Sequence, residues 1–214
     1  WAKGIDGDND WSSFQYTTLQ GGNVPEAEVA AARNDLDERT FQQEYEAAFV
    51  NYSGIIYYAF NREKSVKRIE DTGGTLHIGL DFNIDPMSAV VCLRHGNDLL
   101  AIDEIVMYGS NTDEMVAEIK SRYRDRPVII YPDPASRQRK TSAGGRTDLS
   151  ILQNAGFAVK SKNSHALVRD RINAVNSRLR SSGGDRYLFI DPKCKHTIKS
   201  LERQTYKEGT SQPN

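Results

Sequence analysis

The sequence predicts an α/β protein built on a mixed sheet, an antiparallel three-strand meander joined by parallel strands and flanked by helices. Three apolar stretches between Thr75 and Met107 are separated only by short turns, the spacing of a meander. From Asn111 onward, helical periodicity alternates with apolar stretches, which places helices over a sheet that contains parallel strands.

The elements follow in order. Residues 1 to about 22 are acidic and glycine-rich and read as a loop or entry arm. Asn23-Val24-Pro25-Glu26 reads as a helix start, with Asn23 as cap, and the helix runs to about Leu36. A second helix begins near Thr40 and covers Phe41 to Glu46. The stretch from Asn61 to Gly74 is charged and ends in a turn, Asp71-Thr72-Gly73-Gly74. The first strand is Thr75 to Asp81, the second Ser88 to Leu93 and the third Leu99 to Met107. Asn111 caps a helix from about Thr112 to Tyr123, with acids in its first turn and Met115, Val116, Ile119 and Tyr123 at helical spacing. Pro127 to Asp133 is a fourth strand, whose unbroken apolar character predicts burial on both faces. A short helix (Leu149 to Ala155), a fifth strand (Ala158 to Lys160), a basic amphipathic helix (Leu167 to Leu179), a short strand (Tyr187 to Ile190) and a final helix (Lys193 to Gln204) complete the chain. This order is what a ribonuclease H-like core requires.

The 214 residues suit one large domain, or one domain with an extended arm. No stretch approaches the roughly 18 apolar residues of a membrane span, and the polar, acidic start is not a signal peptide. Cys92 and Cys194 form neither a disulfide framework nor a zinc pattern, so a reducing cytoplasm is expected. The net charge of -1 conceals an asymmetry. From Ile119 to Glu208 there are 20 Lys and Arg against 8 Asp and Glu, and 8 against 21 elsewhere. Such a split suits a polyanionic partner for the second half, although solvated surface charge explains it equally well.

Two apolar strands end in an acid, Asp81 and Asp133, 52 residues apart. If the first and fourth strands run parallel and adjacent, both carboxylates emerge at one edge. Their repulsion then calls for a proton or a cation between them. Oxygen ligands with no His or Cys nearby suit Mg²⁺ or Mn²⁺, and two such ions support phosphodiester hydrolysis. Strand-end acids also cap the turns that follow them, and the residues alone leave both readings open. The four histidines have no ligand-like spacing, and no Walker-type phosphate loop is present.

Ile78-Gly79-Leu80-Asp81-Phe82-Asn83, followed by Tyr131-Pro132-Asp133-Pro134-Ala135, resembles the nuclease half of phage large terminase subunits. The likeness extends over nearly the whole chain. It includes Phe41 to Tyr45 and Gly54 to Tyr57, Asp103-Glu104-Ile105 with Asn111-Thr112, Leu149 to Phe157, and Asp191-Pro192-Lys193-Cys194. It implies a metal-dependent endonuclease that cuts concatemeric double-stranded viral DNA in the host cytoplasm, with Asp81 and Asp133 as catalytic acids and metal ligands. The implied partners are duplex DNA, an ATPase domain of the same polypeptide, a small terminase subunit and a portal. Residues 1–74 would then link to that motor and 75–214 form the nuclease core. The family's third acid, on a late His-x-x-Asp-Ala-type helix, has no counterpart in the 214 residues and is expected beyond Asn214.

Further candidate ligands are Asp191 and Asp85, each also explained as a turn residue beside proline, and Glu104, also explained as a surface acid. Arg137, Arg139 and Lys140 follow Asp133 in a Ser-, Thr- and Gly-rich loop suited to closing on phosphates, and Lys160, Lys162, Arg169 and Arg171 could track the backbone further. The alternatives are another ribonuclease H-like nuclease, of resolvase or transposase type, and a DNA-binding or portal-docking module that does not cut.

Overall fold

The computed structural model describes residues 12–49, 54–83, 85–133, 147–161, 166–207 and 213. The described strands are β1 (Leu76–Asp81), β2 (Met87–His95), β3 (Asp98–Met107), β4 (Val128–Pro132), β5 (Ala158–Val159) and β6 (Leu188–Ile190). The described helices are α1 (Thr18–Gly21), α2 (Glu26–Asp35), α3 (Glu38–Tyr45), α4 (Arg62–Ser65), α5 (Thr112–Arg122), α6 (Asp148–Asn154), α7 (Val168–Leu179) and α8 (Lys195–Arg203).

The six strands form one sheet in the order β5-β4-β1-β2-β3-β6. β1, β2 and β3 are the expected antiparallel meander, while β4 runs parallel to β1, β5 to β4 and β6 to β3. The mixed α/β, ribonuclease H-like sheet with flanking helices is therefore present. β1 becomes central because it pairs on both edges, with β2 and with β4.

Alternation along the strands builds one apolar face. Leu76, Ile78 and Leu80 of β1 are buried with Met87, Ala89 and Val91 of β2, Ile102 and Ile105 of β3, and Val128 and Ile130 of β4. Met115 and Ile119, four residues apart on α5, cover this face together with Leu152 of α6. A register shift between Val91 and Cys92 leaves Ile102 as an extra residue on β3, so Ala101 and Ile102 are both buried. The Asn111 side chain accepts from the Glu114 N–H at 3.0 Å and Glu114 accepts from the Asn111 N–H at 3.0 Å, a reciprocal cap that fixes the start of α5.

β4 is buried on one face only, contrary to the expectation from its unbroken apolar run. Its other face carries Ile129, half-buried, and Tyr131, 38% exposed. Tyrosine tolerates this position because its hydroxyl bonds the His77 ring at 3.0 Å, with the two ring centroids 5.8 Å apart. Three local differences have plain causes. Thr17 caps a short helix, α1, inside a stretch expected to be loop. The helix expected after Asn23 has Pro25, not Asn23, at its cap position. The stretch 61–74 also holds the one-turn helix α4 before it reaches β6: Val66 bridges Ile190, and the Lys67 N–H donates to the Ile190 carbonyl at 3.0 Å.

The chain divides into two compact units. One comprises residues 1–59, 169–186 and 205–214, the other 60–168 and 187–204, which holds the whole sheet. In the first unit the Asn176 side chain donates to the Ile56 carbonyl at 3.0 Å and accepts from the Ala59 N–H at 3.3 Å, tying α7 to the segment after α3. Its burial satisfies two backbone groups that would otherwise be stranded. Among the described residues no helix is long and apolar enough to cross a membrane.

Candidate active site

The parallel register pairs Leu80 of β1 with Pro132 of β4, and the Asp133 N–H donates to the Leu80 carbonyl at 3.0 Å. Asp81 and Asp133 are the next residue on each strand. Two adjacent parallel strands thus present two acids at the same edge, about 5 Å apart at the backbone. Because Leu80 and Pro132 point into the core, Asp81 and Asp133 point to the opposite, more open face. Asp81 is exposed and Asp133 half-buried. The same face carries Gly79, where nothing lies within 4 Å of an added Cβ, and the His77–Tyr131 pair. Burial, then the charges of Lys160 and Arg94, lowers the His77 pKa and favours the neutral imidazole.

Asn83 Nδ2 donates to Asp81 Oδ2 at 2.8 Å. Asn83 belongs to the motif that carries the family resemblance, yet nothing in a linear sequence signals that its amide turns back onto Asp81.

Of the other candidate acids, Glu104 and Asp191 stand apart from this pair. Asp85 is exposed in the turn leading into β2. Glu104 pairs in register with Val90, which pairs with Gly79, so it lies two strands from β1, roughly 10 Å across. Its carboxylate caps α8, accepting from the His196 N–H, the Thr197 N–H and the Thr197 hydroxyl, each at 2.8 Å. Glu104, Ser88, Thr197 and Ser200 line a cavity of about 350 Å³, and Ser88 is the register partner of Asp81.

Asp191 follows β6, three strand spacings from β1 or roughly 14 Å. It is buried, and it accepts from the Ile69 N–H at 2.9 Å and from the Lys193 N–H at 3.0 Å. Burial opposes its ionisation, but these backbone donors, with Lys193 and Arg68, outweigh burial and hold its pKa below the ordinary value. A carboxyl with a depressed folded-state pKa contributes stability above its unfolded value, about 3.9. That contribution is lost as pH falls through the lower folded value. Asp191→Asn should therefore lower stability at pH 7 by about 1–2 kcal/mol, the scale of a hydrogen bond to a charged group. It should also flatten the loss of stability below about pH 4, which thermal melts from pH 7 to pH 3 would show.

Among the candidate cations, Lys160 follows β5, is exposed, and donates its backbone N–H to the Ile130 carbonyl at 2.8 Å. This places it next to β4, where its charge reaches the His77 ring. Arg169 and Arg171 are exposed on α7 within the first unit, and Arg169 pairs with Asp170 at 3.7 Å. Arg137, Arg139, Lys140 and Lys162 lie outside the described residues. Among the described residues no three His, Cys, Asp or Glu side chains gather as a metal site.

A central parallel pair inside this strand order is that of a ribonuclease H-like fold. Solved structures that share it include phage large terminases. The large terminase of the thermophilic bacteriophage D6E superposes with a TM-score of 0.71 at 14% identity, covering 100% of this chain and 54% of that one. The chain therefore spans about half the length of that terminase. The nuclease domain of the P22 large terminase gives a TM-score of 0.59 at 12% identity over 76% of this chain and 84% of that one. The large terminase nuclease of the thermophilic phage G20c, solved with bound magnesium, gives 0.52 at 14% identity over 77% and 88%. No protein-family model and no curated protein sequence matches the chain.

Proposed function

We propose that this chain is a divalent-metal-dependent DNA endonuclease that cuts concatemeric double-stranded viral DNA during genome packaging in the host cytoplasm. The observation that carries the proposal is the side-by-side emergence of Asp81 and Asp133 from adjacent parallel strands. This donor set suits the cation: carboxylate oxygens only, with one partner exposed and the other half-buried, match Mg²⁺ or Mn²⁺ rather than a softer metal. The magnesium bound by the G20c nuclease points the same way. When bound, a pair of such ions supplies an activated water and neutralises the leaving oxygen.

The chain's own part is to hold the two carboxylates on rigid strand ends and to keep the face around Gly79 clear. Glu104 and Asp191 are engaged elsewhere, as a helix cap and as an acceptor of two backbone N–H groups. Lys160, on the strand next to β4, would hold a phosphate of the backbone, and Arg137, Arg139, Lys140, Lys162, Arg169 and Arg171 would each also contact duplex DNA. Residues 1–74 would join a preceding ATPase motor to a nuclease core of 75–214, with a small terminase subunit and a portal as further partners.

Plasmid nicking and linearisation with Mg²⁺, Mn²⁺ or EDTA tests the activity. Cutting that EDTA abolishes supports it. Salt-sensitive DNA binding without cutting under any metal would favour a docking module instead. Replacing Arg137, Arg139 and Lys140 together with Ala should reduce DNA affinity and shrink the salt slope of binding by up to about 3, since each phosphate contact contributes roughly 0.9. An unchanged slope would remove this loop from the interface.

A further inference from the structure

We infer that Asn83 is a positioning residue for the metal-binding carboxylate, acting through Asp81. The inference rests on the metal-dependent reading above and adds to it a residue assigned no role in the chemistry so far.

Asn83 Nδ2 donates to Asp81 Oδ2 at 2.8 Å, two residues beyond the end of β1. A strand-end carboxylate has one backbone anchor and two free side-chain torsions. Asp81 is exposed, so packing does little to fix them. An amide donor on one oxygen removes much of that freedom and leaves the other oxygen available on the side of the sheet it shares with Asp133. Asn83 is suited to the task for three reasons. Its amide donates without adding charge beside a carboxylate. It is itself exposed, so its side chain is not spent on the core. And Phe82, between the two, is buried at 9% exposure and pins the intervening backbone. Groups that hydrogen-bond a ligating carboxylate typically tune metal affinity by 10- to 100-fold.

Saturable Mn²⁺ binding, measured by calorimetry or by loss of the free-ion EPR signal, tests this without reference to cutting. Asn83→Ala should weaken Mn²⁺ binding about 10- to 100-fold while the metal-free melting curve stays unchanged. Asn83→Gln, which keeps an amide donor on a stem one methylene longer, should fall between wild type and Asn83→Ala. Mn²⁺ affinity of Asn83→Ala within threefold of wild type overturns the inference, as does Asn83→Gln binding more weakly than Asn83→Ala. Asp81→Asn separates the two levels. If it abolishes Mn²⁺ binding and Asn83→Ala does not weaken it, the inference on Asn83 fails and the metal site stands. If Asp81→Asn leaves Mn²⁺ binding intact, the metal site itself fails and the inference falls with it.

Discussion

Asp81→Asn is expected to lower metal-dependent plasmid cutting by about a thousandfold or more while leaving the fold intact. The size of the effect follows from the task. A metal that stabilises the developing charge contributes several kcal/mol, and about 4 kcal/mol corresponds to three orders of magnitude in rate. Asparagine is nearly isosteric but cannot neutralise a cation. The fold should survive because Asp81 is exposed and the core beneath it is carried by Leu76, Ile78 and Leu80. Its substitution also relieves repulsion from Asp133. The expected change in stability is within about 0.5 kcal/mol. Cutting rate and melting temperature measured on the same preparation decide the matter. Full retention of metal-dependent cutting would remove Asp81 from the chemistry.

Glu104→Ala is expected to act in the opposite way, on stability rather than metal. Glu104 accepts three hydrogen bonds at the start of α8, two of them from backbone N–H groups that a helix leaves unpaired. Its charge also faces the positive end of the helix dipole. Bonds to a charged acceptor contribute about 1.5–3 kcal/mol each where desolvated. His196 is exposed and Thr197 half-buried, so water replaces part of the loss. The net expectation is about 2 kcal/mol, or roughly 4–8 °C in melting temperature for a chain of this size. Glu104→Gln, which retains one acceptor oxygen, should lose about half as much. Mn²⁺ affinity should not change. A variant that melts like wild type but binds Mn²⁺ tenfold more weakly would return Glu104 to the list of ligands.

The two variants make a useful pair because the acids look alike in the sequence. Asp81 and Glu104 each lie on an apolar strand, and only their neighbours in space separate a proposed metal ligand from a helix cap. Asp191 teaches the same lesson. An acid at a strand end before proline satisfies the pattern that singled out Asp81. In the folded chain it follows a strand at the far side of the sheet, where the Ile69 and Lys193 N–H groups take both of its oxygens.

The sequence by itself determined the meander and the order of the strands and longer helices, though not the one-turn helices α1 and α4, because side-chain alternation and turn signals are local properties of the chain. It also determined the caps that start α5, since Asn111 and Glu114 satisfy each other within three residues. It singled out Asp81 and Asp133 as strand-end acids. Only the tertiary structure decided that β4 lies against β1 in the register that sets those acids side by side. That pairing joins residues 52 apart, and nothing local specifies it. Tertiary structure alone also decided that Tyr131 stays half-exposed beside His77, that Asn83 turns its amide onto Asp81, and that Glu104 caps a helix more than 90 residues away. The physical reason is the same in each case. Periodicity records which face of an element is apolar, whereas a polar side chain's partner depends on which backbone groups folding leaves unpaired within its reach.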